Sequence, residues 1–147
     1  MSGMKNTGAL THAGGSSGLS YRMTAPSRAR TPGIARDWVV SLLRGPGWGD
    51  ALRERARLCT SEVVTNAYRH TDTPEITVEV ALLDGRVTVY VYDCAPERRP
   101  PGGGVAGPMV TGGRGLVLVA VYADEWAVTA AAGSCVKAVW FRLFPDA

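Results

Sequence analysis

The sequence predicts an α+β two-layer sandwich, in which a mixed, mostly antiparallel sheet carries its helices on one face. Three observations predict it: a long amphipathic pattern from Asp50 to His70, two alternating apolar runs joined at Asp84-Gly85, and an element order of strand, helix, helix, strand, strand, helix, strand, strand. At 147 residues the chain is one domain, large enough to bury a core without covalent staples.

Residues 1–18 are mostly Gly, Ser, Thr and Ala with few large apolar side chains, so they are expected to be a disordered tail ahead of a domain spanning 19–147. Leu19 to Thr24 alternates weakly and suits a short first strand at a sheet edge. Thr31-Pro32 opens a helix, with Thr as side-chain cap and Pro at the first helical position. That helix runs to about Leu43 with Ile34, Trp38 and Leu42 as its apolar stripe and Ala35 and Val39 beside it; Gly45-Pro46-Gly47 ends it.

Asp50 is a plausible cap for the second helix, which reaches His70 and is about 30 Å long. Its apolar ladder is Leu52, Ala56, Cys59, Val63 and Ala67, with Arg53, Glu54, Arg55 and Arg57 on the wet side. From Glu75 to Asp93 two strands alternate about the Asp84-Gly85 turn, which sets Leu82 opposite Val87, Val80 opposite Val89, Val78 opposite Val91 and Ile76 opposite Asp93. Glu79 opposite Tyr90 and Thr77 opposite Tyr92 make the other sheet face a wet one. A loop rich in Pro and Gly, about residues 94–113, then reads as a lid or binding loop. Gly113-Arg114-Gly115-Leu116 leads into a third helix, and strands from Trp126 to Ala132 and from Val136 to Phe144 close the chain.

Composition excludes several classes of function. A net charge of +3 without a basic run argues against nucleic acid as a partner and favours an acidic protein or a phosphate-bearing ligand. No apolar stretch approaches the roughly 20 residues of a membrane span, and no apolar segment follows Lys5 to make a signal peptide. Three cysteines, Cys59, Cys94 and Cys135, form no CxxC pair and read as free thiols in a reducing cytoplasm.

Three places break the pattern of a simple core. Glu62, Asn66 and His70 stand at successive i, i+4 positions, a polar column at the edge of the buried face of the second helix. Either other protein groups satisfy that column or a ligand does. Asp93 falls in register with core-facing valines; it is either a strand-end carboxylate turned to solvent or one held inside to bind something. The closely spaced glycines before the third helix free backbone N–H groups at a helix start, an arrangement that suits an anion.

Taken in order, SEVVTNAYRH, VYDCAPERRP and GGRGLVLV resemble the N box and the two glycine boxes of the GHKL, or Bergerat-fold, ATPases, and the closing stretch from Gly133 to Trp140, with Lys137-Ala138-Val139-Trp140, joins them in a narrower likeness. More narrowly they resemble the small single-domain branch that includes anti-sigma-factor serine kinases, over nearly all of the chain from residue 19. The resemblance implies ATP and Mg²⁺ as cofactors. It implies Asn66 as a Mg²⁺ ligand through its amide oxygen, and Glu62 as the catalytic residue that orients and deprotonates an attacking hydroxyl. Asp93 would read the adenine amino group. Gly113, Arg114, Gly115 and the adjoining Leu116 would form the phosphate-binding helix start, under the lid. Arg69 is a phosphate contact by analogy or else a solvated helix-end arginine, and His70 stands at the pocket rim.

The chain departs from the kinase pattern at Ala95, where relatives carry glycine, and at Ala138, where many carry a threonine beside the adenine; loss of that hydroxyl removes a contact worth about 1 kcal/mol. Two functions follow from the resemblance. One is a cytoplasmic ATP-dependent serine/threonine protein kinase that phosphorylates an anti-anti-sigma partner and sequesters a sigma factor. The other is a non-catalytic, nucleotide-responsive module for partner switching. A detached catalytic module of a sensor histidine kinase is less well supported, because the chain has no dimerisation helices bearing a phosphoacceptor histidine. A homodimer through the first helix or the exposed sheet face is compatible with either function.

Overall fold

The computed structural model describes residues 3–11, 17–70, 73–94, 114–130 and 136–146. They form β1 (Gly3–Thr11), β2 (Ser17–Pro26), α1 (Thr31–Leu42), α2 (Gly49–His70), β3 (Glu75–Leu83), β4 (Arg86–Cys94), α3 (Arg114–Tyr122), β5 (Glu125–Ala130) and β6 (Val136–Leu143). The sheet has the order β1-β2-β3-β4-β6-β5, and each pairing between neighbours is antiparallel.

The β3–β4 turn explains its own register. Asp84 and Gly85 take φ of 54° and 71°, the pair of left-handed residues that a tight hairpin needs to match the twist of its strands. Leu82 therefore meets Val87, Val80 meets Val89 and Val78 meets Val91, as the alternation predicts. The register carries on into β6, where Val91 faces Val139 and Val89 faces Phe141. One face of the sheet is in consequence a continuous apolar surface, and α1, α2 and α3 all bury side chains in the cluster it forms. The α+β two-layer architecture is thus the observed one.

Among the described residues no helix covers the other face. Tyr90, Tyr92 and Trp140 stand there at ring separations of 6.1 and 6.4 Å, with Glu79 bonded to Arg22 (2.7 Å) and Tyr92 (3.1 Å) and the Arg142 guanidinium over Trp140. Glu79 faces Tyr90 and Thr77 faces Tyr92, as expected.

The structure differs from expectation at the N-terminus and along α1. Within the segment read as a tail, Gly3–Thr11 is strand β1, paired with β2 through a register shift at Asn6/Gly8. An outermost strand needs backbone N–H and C=O groups rather than apolar side chains, so composition alone missed it. It also places β2 one strand in from the edge and lengthens it to Ser17–Pro26.

In α1, Ile34 is 37% exposed, and the buried residues are Thr31, Pro32, Ala35, Trp38 and Val39. The buried stripe is thus rotated from Ile34 toward Ala35 and Val39. Thr31 is not the cap. Arg30 holds that position without a side-chain bond, and Thr31 is the first helical residue. Its buried hydroxyl instead donates to the Pro26 carbonyl and accepts from the Arg28 N–H at 3.3 Å, latching α1 to the end of β2. Thr31→Ala should lower stability by about 1–2 kcal/mol in urea unfolding, because the Pro26 carbonyl loses its donor, and Thr31→Ser should recover most of the loss.

The ladder expected on α2 is buried throughout, with Thr60 and Val64 added to it. Arg55 does not belong to a wet side, however. Its guanidinium donates to the carbonyls of Tyr122 (3.2 Å) and Phe144 (2.9 Å) and pairs with Asp124 at 3.1 Å. One side chain thereby ties α2 to the end of α3 and to the C-terminal segment. No helix among the described residues is long and apolar enough to cross a membrane.

Candidate functional site

The site is assembled on α2, β4, β6 and α3, which pack against one another around the core. Because α2 is continuous from Gly49 to His70, Glu62, Asn66 and His70 do fall in one column on its surface. Glu62 and Asn66 are half-buried beside the fully buried Val63 and Ala67, whereas Arg69 and His70, in the last turn, are exposed. The column therefore passes from the core boundary at Glu62 to solvent at His70. Among the described residues no ion pair engages Glu62.

Asp93 lies where the hairpin register put it, on the helix-facing side of β4, and is only 4% exposed. Burial pushes its carboxyl up from the ordinary 3.8 to about 6, and the neighbouring Lys137 ammonium pulls the other way. The lysine stands directly across the strands, with Nζ 3.8 Å from Oδ2. The other carboxylate oxygen, Oδ1, is buried and has no hydrogen-bond partner among the described residues. Such an acceptor is unfavourable unless something donates to it. The reading of Asp93 as a solvent-turned strand end is thereby overturned.

Arg114 and Gly115 form the first turn of α3, and Leu116 is buried in the core one residue later. This burial fixes the start of the helix against α2. Gly113 and the expected lid beyond Cys94 lie outside the described residues.

Sequence reasoning missed Lys137 and misjudged its neighbour. Ala138 pairs with Tyr92 and so lies on the open face of the sheet, opposite to Asp93. Its missing hydroxyl removes nothing from the side where Asp93 points. The β6 residue that faces Asp93 is Lys137, a charged side chain in phase with Val139, Phe141 and Leu143. That signal was in the sequence: it is the same break in alternation that singled out Asp93.

The donor set has a consistent chemistry. An unpaired buried carboxylate oxygen suits an exocyclic amino group, and an amide oxygen on a helix edge suits a hard cation that is shared with phosphate oxygens. The described residues hold no cluster of three His, Cys, Asp or Glu that would cage a metal by themselves. A family model of the histidine kinase-like ATPase domain matches residues 25–140. No curated protein matches the chain.

Proposed function

We propose, for a chain that belongs to the histidine kinase-like ATPase domain family and so to a family of ATP-binding domains, the role of a cytoplasmic anti-sigma-factor serine/threonine kinase. The observation that carries the catalytic part of this reading is Glu62, a half-buried carboxylate one helical turn before Asn66 and outside every ion pair among the described residues. A pure binding module has no use for an unpaired base at that place.

When bound, ATP would supply the γ-phosphoryl group and Mg²⁺ would neutralise charge on its phosphates. Asn66 holds the cation through its amide oxygen. Asp93 fixes the adenine end, with Oδ1 accepting from the 6-amino group. Backbone N–H groups of Arg114 and Gly115, in the first turn of α3, would orient the phosphates together with Gly113, which precedes them in the sequence. Arg69 and His70, exposed at the end of α2, stand at the mouth. Glu62 accepts the proton of the incoming seryl hydroxyl of an anti-anti-sigma partner as the new P–O bond forms and ADP leaves.

Wild-type protein incubated with γ-labelled ATP and candidate anti-anti-sigma proteins is expected to label a partner serine. Glu62→Ala should keep nucleotide binding and label at least about a hundredfold more slowly. A wild type that binds ATP and partner but transfers no label would instead be a nucleotide-responsive switch without catalysis.

A further inference from the structure

We propose that Lys137 is a second base-reading residue of the nucleotide pocket, donating from its ammonium to adenine N1 while Asp93 Oδ1 accepts from the 6-amino group, so that the pair selects 6-aminopurines over 6-oxopurines. This rests on the ATP-binding reading and extends it to a residue to which the resemblance assigns no role.

The two groups form a pair that is close but incomplete. Asp93 and Lys137 are directly opposed between β4 and β6, so their side chains leave the sheet on the same, helix-facing side. At 3.8 Å the ammonium nitrogen is too far from Oδ2 for a hydrogen bond, yet the lysine side chain is only 14% exposed and the aspartate side chain 1%. Lys137 has three donors and Asp93 has a buried acceptor, and among the described residues neither makes a hydrogen bond. Two largely buried charges in this state call for a third group that donates to one and accepts from the other.

Adenine offers that combination on adjacent atoms of one edge: the amino group at position 6 donates and N1 accepts. A 6-oxopurine presents the reverse order, an acceptor at position 6 and N–H at position 1. Its carbonyl would meet the carboxylate and its N–H the ammonium, so both contacts turn repulsive. Cytosine shows the same donor and acceptor order as adenine. The pair therefore separates amino from oxo bases.

The test is calorimetric titration of the full chain with ATP, with its 1-deaza analogue, in which C–H replaces N1, and with inosine triphosphate. Wild type is expected to bind the 1-deaza analogue about tenfold or more weakly than ATP, the loss of one charge-assisted hydrogen bond, and inosine triphosphate more weakly still. Lys137→Met should bind ATP and the 1-deaza analogue alike, a convergence that a merely structural role for the lysine would not produce. Equal binding of the two nucleotides by wild type overturns the assignment while leaving ATP binding in place, and needs no variant to fold. Undiminished discrimination in Lys137→Met overturns it as well. A wild type that binds no ATP brings down the ATP-binding reading itself.

Discussion

Asp93→Asn is expected to raise the unfolding midpoint of the ligand-free protein at neutral pH and, in the same variant, to abolish selective ATP binding. The stabilisation follows from the carboxyl being held at about 6 against its ordinary 3.8 by burial. A group raised in the folded state stabilises the fold below its unfolded value, and that contribution is lost as pH rises through the folded value. At neutral pH the ionised carboxylate is therefore a burden, worth on the order of 2–3 kcal/mol for a shift of about two units. A neutral amide relieves most of it, equivalent to a midpoint higher by roughly 5 °C. The difference between variant and wild type should shrink steadily as the pH falls from about 6 to about 4, which differential scanning calorimetry across that range would show.

Function runs in the opposite direction. The amino group of the base needs an ionised acceptor, so wild-type ATP affinity should fall as pH drops through about 6, the range in which Asp93 takes up its proton. Asp93→Asn should be weak at every pH. An unchanged midpoint together with unchanged ATP affinity would remove Asp93 from the site.

Asn66→Ala is expected to abolish magnesium-dependent ATP binding and leave the fold intact. Asn66 is half-buried on the outer edge of α2, and alanine favours a helix interior more than asparagine does. Without nucleotide the variant should therefore unfold within about 0.5 kcal/mol of wild type. With ATP and Mg²⁺ at a hundred times the dissociation constant, wild type gains about 2.7 kcal/mol and the variant gains almost nothing. Calorimetry with and without Mg²⁺ separates the contribution of the amide oxygen from that of the rest of the pocket. Binding that stays equally magnesium-dependent in the variant would refute the placement of the cation.

The parts of this molecule that were legible in the sequence are those fixed by short-range rules. The Asp84-Gly85 turn determines the pairing of β3 and β4, and that pairing in turn puts Asp93 inside. The column of Glu62, Asn66 and His70 needs only the helical period. Features set by contacts between distant segments were not legible. Strand β1 is set by its backbone pairing with β2, and the buried face of α1 runs through Ala35, Trp38 and Val39 rather than along the Ile34 stripe. Lys137 did show in the alternation of β6, but the residue it faces did not. The β3–β4 register was derived from its turn, whereas that of β6 on β4 has no adjoining turn to set it, and without it Ala138 was assigned the place that belongs to its neighbour.

The Arg55 clamp also has a consequence for the order in which the molecule can be completed. Its partners Tyr122 and Phe144 lie 67 and 89 residues further along the chain. During synthesis α2 emerges with Glu62 and Asn66 long before the carbonyls that anchor it exist, and closing so long a loop is entropically slow. The helix bearing the proposed base and metal ligand thus gains this anchor only after Tyr122 and Phe144 have been made. A variant cut back before Phe144 should keep the column on α2 yet lose the carbonyl that Arg55 holds at that end of the chain.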